Sequence, residues 1–188
     1  MSTAAPVHPA LITAEQFAER PDPGHPEELV RGRIVPMPMT RPRLGEICGR
    51  TDRVLGVFVD EHDLGRVLTN DTGVITERGP DTVRGADLAY YSFARVPKGP
   101  LPDRYLDVAP ELVVEVLSPT DRWPKVMVKV GEYLAAGVLV VLVLDDERRA
   151  AHVFTAEGAN RILSAEDELT LPELFGEGLR VRVERFFA

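Results

Sequence analysis

The run Leu112-Val113-Val114-Glu115-Val116-Leu117-Ser118-Pro119-Thr120-Asp121 decides the fold of this 188-residue chain. Apart from Glu115, its first six residues are valine or leucine, the composition of a strand covered on both faces. Ser118-Pro119-Thr120 ends the strand, because proline lacks the donor that a ladder needs. Asp121 reads as the N-cap of a helix, with Pro124 in its first turn and Gly137 closing it. Val138 to Leu144 is a second apolar run. Strand, helix and strand in that order are too long for a hairpin and fit a crossover between parallel strands. The fold class that follows is α/β (α+β mixed), a mixed β-sheet flanked by helices.

Upstream, Thr13 and Gln16 form a capping box opening a short helix over Ala14 to Arg20. Glu28-Leu29-Val30 and Arg33-Ile34-Val35 flank Arg31-Gly32 and read as a hairpin. Leu44, Ile47, Cys48, Thr51, Leu55, Phe58 and Val59 recur every three or four residues, which predicts an amphipathic helix from Leu44 to His62. Arg66 to Thr69, Val74 to Thr76 and Ala86 to Tyr91 read as three short strands separated by turn residues. Downstream, Ala151 to Thr155 reads as another strand, and the tail as short strands between polar turns. Residues 1–12 are expected to form an N-terminal arm and residues 13–188 one domain, with no repeat and no linker.

Composition narrows the function. Twenty-two Lys and Arg stand against thirty Asp and Glu, a formal charge of −8, which argues against binding duplex DNA by charge alone. The single cysteine, Cys48, excludes a disulfide framework and a multi-Cys zinc site; it reads as a small buried thiol and fits a reducing cytoplasm. The four histidines are scattered. No window is apolar enough for a membrane helix, and no signal peptide is evident, so no membrane partner is expected and a cytoplasmic location is. Phosphate-loop, zinc-protease and serine-hydrolase motifs are absent.

Glu115 is the residue that could carry chemistry. A carboxylate in so apolar a strand is costly unless paired, hydrogen-bonded or metal-bound. It reads either as a metal ligand or acid/base group, or as a strand-end glutamate bridged to an arginine. Asp87 alone reads as a turn aspartate; beside Glu115 on a neighbouring strand it makes a carboxylate pair able to hold Mg²⁺. Lys129 flanks the apolar face formed by Val126, Met127, Val130, Tyr133 and Leu134, and can snorkel towards the end of the Glu115 strand or remain solvated. Glu28 opens the hairpin as a further acidic candidate or a plain edge charge. Trp123 reads as packing.

Several blocks together resemble a known family. Glu28-Leu29-Val30-Arg31-Gly32-Arg33-Ile34-Val35, Thr72-Gly73-Val74 and Arg84-Gly85-Ala86-Asp87-Leu88-Ala89-Tyr90 are followed by Pro110 to Asp121 and Lys129 to Val138. In that order, from about Thr13 to Phe187, they look like the Uma2 family, formerly DUF820. That family is similar to the PD-(D/E)xK, or restriction-endonuclease-like, superfamily. The resemblance implies a Mg²⁺-dependent DNA endonuclease, with Mn²⁺ able to substitute. It implies metal ligands at Asp87, Glu115 and the carbonyl of Val116, with Asp87, Glu115, Lys129 and Glu28 as catalytic residues. The position two after Glu115 is Leu117, not lysine; the resemblance implies that the motif lysine has moved to the next helix, where Lys129 occupies that place. Glu46 stands where many relatives carry histidine, and Ala86 where proline commonly precedes the motif aspartate.

The implied partner is DNA, bound through a locally basic surface for which Arg31, Arg33, Arg41, Arg43, Arg84, Arg122 and Lys125 are candidates. The acidic balance favours a homodimer or a partner protein as the source of DNA affinity. Two other readings compete: a nuclease-like module that binds DNA or protein without cutting, and a dimeric structural protein.

Overall fold

The computed structural model describes residues 10–118 and 121–188, so residues 1–9 of the expected arm lie outside it. The capping box at Thr13 forms as expected and starts α1, Ala14–Ala18. Strands β1, Glu27–Val30, and β2, Arg33–Pro36, pair antiparallel around Arg31 and Gly32. Both turn residues have positive φ (48° and 72°), the twist that two-residue hairpins require. Ile12 donates its backbone N–H to the Gly32 carbonyl at 3.0 Å, which ties residues 11–12 to this turn.

Helix α2, Pro42–Glu61, starts two residues earlier than its periodicity implies, because Pro42 fits the first turn. It buries Ile47, Thr51, Leu55 and Val59, one stripe at a spacing of four. The two strands expected between residues 66 and 76 are one, β3, Gly65–Glu77. Asn70 and Asp71, read as turn residues, sit at φ 67° and 55° within a bulge, and the strand resumes its pairing with β4, Thr82–Ser92, at Thr72. Turn-prone residues mark a bulge here because β4 offers a partner on both sides of them.

Strand β5 is Leu112–Leu117, as expected, and α3 is Trp123–Ala135. The N-cap of α3 is Arg122 and makes no side-chain cap bond; the Asp121 carboxylate instead accepts the Ser118 backbone N–H at 2.7 Å. Met127, read as part of the apolar face, is 43% exposed, so that face is narrower than its composition implies. Gly137 has φ 98° just past the helix end, where a left-handed residue is needed. Strand β6, Val140–Asp145, runs parallel to β5, so the segment is a crossover.

Strands β7, Ala150–Thr155, and β8, Arg161–Leu163, extend the sheet antiparallel. The tail adds β9, Glu168–Leu169, α4, Pro172–Phe175, β10, Val181–Arg182, and α5, Glu184–Phe187; two short helices stand among its expected strands. The sheet order is β2-β1-β4-β5-β6-β7-β8, with β3 on the other edge of β4. It is mostly antiparallel, and helices flank it. Leu112, Val114 and Val116 pack with Ile47, Leu55 and Val59 of α2 and with the tail residues Phe186 and Phe187. Val113 packs with Val126, Val130 and Tyr133 of α3. Alternation along β5 therefore turns Glu115 to the α3 side. No helix among the described residues is long and apolar enough to cross a membrane.

One irregularity of the sheet matters most. With β3 along one edge of β4, the opposite edge pairs with β1 at Val83 and with β5 at Leu88 to Tyr90. Between them, residues 84–87 face a fork where neither strand reaches.

Gly73 in β3 lies opposite Gly85 at this fork and under the ring of Tyr105, which an added Cβ would overlap. Gly73→Ala is expected to cost about 1–3 kcal/mol, read as a lower urea midpoint. Pairing it with Tyr105→Leu should recover part of the loss; full wild-type stability of the single variant would contradict this packing.

Candidate active site

The side chains at the fork take over the hydrogen bonds that a neighbouring strand would have made. Glu28, at the start of the hairpin, accepts the Gly85 backbone N–H on Oε1 at 3.2 Å. Asp87 accepts the Val116 backbone N–H on Oδ2 at 2.6 Å. In a strand the N–H and C=O of one residue point to the same edge. The Val116 carbonyl is thereby directed at the fork as well.

Five charged groups, Glu28, Arg84, Glu115, Lys129 and Glu132, converge above this edge. Lys129 Nζ, from α3, lies 2.9 Å from Glu28 Oε1 and 3.5 Å from Glu115 Oε2. Glu115 Oε1 accepts the Tyr133 hydroxyl at 2.7 Å. Arg84 forks onto both oxygens of Glu132 at 2.6 and 3.0 Å and donates to Glu28 Oε2 at 2.7 Å. Glu28 is therefore a buried carboxylate, 3% exposed, and no plain edge charge. Among the described residues the partners of Glu115 are a lysine and a tyrosine, and no arginine reaches it. Lys129 is 20% exposed and bound to two carboxylates, so it is not a solvated flank lysine.

Electrostatics follow from this crowding. Burial pushes the Asp87 carboxyl up to about 7, and the nearby Glu115 charge adds to the effect. Burial also raises Glu115, against the pull of Lys129 and the Tyr133 hydrogen bond. Burial alone would raise Glu28, yet Lys129 and Arg84 outweigh it and hold that carboxyl below its ordinary value. Burial would lower Lys129, and the carboxylates of Glu115 and Glu28 reverse this, keeping it protonated. Cys48 of α2 lies against Asp87; burial first and that carboxylate second push its thiol up to about 12, which makes it an inert thiol.

The site forms the floor of a cleft of about 560 Å³. One wall is the exposed strap from Pro36 to Arg41, and the other is the first half of α3. Trp123 packs against the His152 ring, centroids 4.6 Å apart, and does not line the cleft.

Sequence reasoning missed several participants. Tyr133 lies four residues after Lys129 and so on the same helical flank, a signal that could have found it. Asp71 is brought to the cleft by the bulge of β3, which nothing local announces. Two expected DNA contacts are turned inward or pinned. Arg84 belongs to the buried network, and Arg43 is held by Asp146, Glu46 and the Phe187 carbonyl. Among the described residues Arg33, Arg41, Arg122 and Lys125 make no ion pair, and Arg31 makes one to Glu77 at 3.7 Å.

Residues 14–184 match the family model Uma2, described as "Putative restriction endonuclease". The chain belongs to the Uma2 family. No curated protein matches it. A crystal structure described as a putative nuclease belonging to DUF820, from Anabaena variabilis ATCC 29413, superposes with a TM-score of 0.80. It is 19% identical and covers 94% of this chain and 97% of its own. That likeness shows that this Uma2 chain and the Anabaena protein share a fold.

Asp87 gives a stability test in metal-free buffer with EDTA. The native state holds the Asp87 proton up to about pH 7, while the unfolded chain releases it near the ordinary aspartate value. Native protein thus binds more protons across that window, and stability falls as pH rises through it. Asp87→Asn removes the loss. Its stability relative to wild type should be higher at pH 8 than at pH 4 by on the order of 2–4 kcal/mol. A pH-independent difference in urea unfolding would refute the assignment. Tyr133→Phe, which strips the donor from buried Glu115, should cost about 1–3 kcal/mol in the same assay while leaving the circular dichroism spectrum unchanged.

Proposed function

We propose that this Uma2 chain is a metal-dependent nuclease that hydrolyses DNA phosphodiester bonds in the cleft, with Mg²⁺ as its cofactor and Mn²⁺ as a substitute. The observation that carries the reading is the arrangement at the fork. Two carboxylates whose charges oppose each other, Asp87 and Glu115, share one strand edge with the Val116 carbonyl, and Lys129 stands beside them. All three donors are hard oxygens, the kind that Mg²⁺ takes, and it needs only one or two carboxylates because it keeps waters for a phosphate substrate. Among the described residues no group of three or more His, Cys, Asp or Glu side chains is placed to hold a metal, so a two-carboxylate site with a backbone oxygen is the form the donors allow.

When bound, the cation would neutralise charge on a phosphoryl oxygen and acidify an attacking water. Asp87 and Glu115 would hold it, and the Tyr133 hydroxyl would orient Glu115. Lys129 would place its permanent positive charge where charge builds on the phosphoryl oxygens. Glu28 would fix the Lys129 ammonium through its 2.9 Å contact. Metal occupancy would also relieve the repulsion that raises Asp87. A homodimer fits the same reading, since one copy has few unpartnered cations of its own.

Purified wild type and Asp87→Ala, Glu115→Ala and Lys129→Ala variants should be compared for cleavage of labelled DNA in Mg²⁺. Each variant should keep the wild-type circular dichroism spectrum and lose about 10²-fold or more in kcat, and EDTA should abolish wild-type cleavage. Equal rates for wild type and all three variants would sink the proposal.

A further inference from the structure

The walls and charges of the cleft bear on which form of nucleic acid it takes, an inference that rests on the nuclease reading above. The cleft is lined by six carboxylates, Glu27, Glu28, Asp71, Asp87, Glu115 and Asp121, and by four cations, Arg41, Arg84, Lys125 and Lys129. Its formal charge is −2, so one divalent cation brings it to zero with no positive surplus. Two of the cations are already engaged: Arg84 by Glu28 and Glu132, Lys129 by Glu28 and Glu115. That leaves Arg41 and Lys125, one on each wall, without an ion pair or a side-chain hydrogen bond among the described residues.

A duplex-binding surface gains its affinity by neutralising several phosphates, about 6–10 in strongly salt-dependent cases. The two such cations that line the cleft do not supply that. Apart from Thr40 and Ser118, the other described side chains of the lining are apolar. Val35 of β2 and Met37 and Met39 on the strap line the cleft with Val128 of α3, and Met39 and Val128 are 72% and 56% exposed. Unbranched methionine adapts to surfaces of varied shape, and base faces are apolar surfaces offered only by unpaired nucleotides. A volume of about 560 Å³ lies in the small-ligand range, with the carboxylates at its floor.

We propose that the cleft takes an unpaired stretch of strand, one or two nucleotides at a time, with bases against the Met39 and Val128 walls and flanking phosphates on Arg41 and Lys125. Duplex DNA would have to open locally to present its phosphodiester to Asp87 and Glu115.

Fluorescence anisotropy with a labelled 12-nucleotide single strand and with its blunt duplex, in Ca²⁺ to slow turnover, tests this on the full chain. Wild type should bind the single strand at least about tenfold more tightly. The slope of log K against log salt should be no steeper than about −1.4, the value for two phosphate contacts on a single strand. Arg41→Ala with Lys125→Ala should flatten that slope. Met39→Glu and Val128→Glu, both at exposed positions, should each weaken single-strand binding about tenfold or more without lowering thermal stability. Equal or tighter duplex binding, a slope several-fold steeper, or unaltered binding by both glutamate variants would overturn the inference and leave the nuclease reading standing. Absence of binding to either DNA, together with absence of cleavage, would overturn both.

Discussion

The unfilled edge of β4 between Val83 and Leu88 is the constraint on which the site depends. A strand edge inside a protein must find partners for its N–H and C=O groups, and leaving one unmet costs as much as a lost hydrogen bond. Here β1 and β5 stop short of each other, and the gap is closed by acidic side chains instead of backbone. Glu28 serves Gly85, and Asp87 serves Val116. The Tyr133 hydroxyl lies 3.4 Å from the Gly85 carbonyl while donating to Glu115. Carboxylates are thus drawn to one place by backbone accounting, and under the metal-dependent reading proposed above a cation would offset their mutual repulsion. The glycine at position 85 permits it: a Cβ there would come within 3.2 Å of Asp71.

The same groups hold the helix to the sheet. Arg84 joins β4 to Glu132 of α3 through two parallel bonds and to Glu28 of β1 through a third. Such a buried network is a poor source of net stability, because desolvating the charges offsets their attraction. Its effect is geometric. Arg84 binds Glu132 while Glu28 binds Lys129, three residues away on the same helix, so the rotation of α3 about its axis is set at two points. Lys129 and Tyr133 are one turn apart and reach the two oxygens of Glu115 from above. Preorganisation of this kind is what a charge-stabilising site needs, since no reorientation is left for the moment of reaction.

The central strand, the crossover helix and the parallel partner were legible because an apolar run of six followed by a 3.6-residue periodicity admits few other structures. Glu115 stood out for the same reason, as the one charge in that run. The hairpin was legible from Arg31-Gly32. What the sequence did not announce depends on long-range pairing. Asn70-Asp71 has the chemistry of a turn, and only the continuous partner strand β4 makes it a bulge. Asp121 has the chemistry of an N-cap but satisfies Ser118 instead, and a local rule cannot choose between two nearby N–H groups. Arg84 looked like a surface cation because its partners, Glu28 and Glu132, lie 56 and 48 residues away.

Lys129 shows why spacing in sequence and placement in space diverge. A lysine two residues after Glu115 would share its face of β5 and stand about 6.6 Å further along the strand. That position is Leu117, which is partly buried in the core beneath α3 with Val126 and Trp123. A charge there would be lost from the packing that seats the first turn of the helix. The helix lies over the same face, so an ammonium descending from Lys129 enters the space beside Glu115 with the strand left apolar. The chemistry proposed above would use a positive charge within a few ångströms of a carboxylate at an open strand edge. Which element delivers it is free to change, provided that element is fixed as firmly as the strand, and the Arg84–Glu132 pair supplies that fixation to α3.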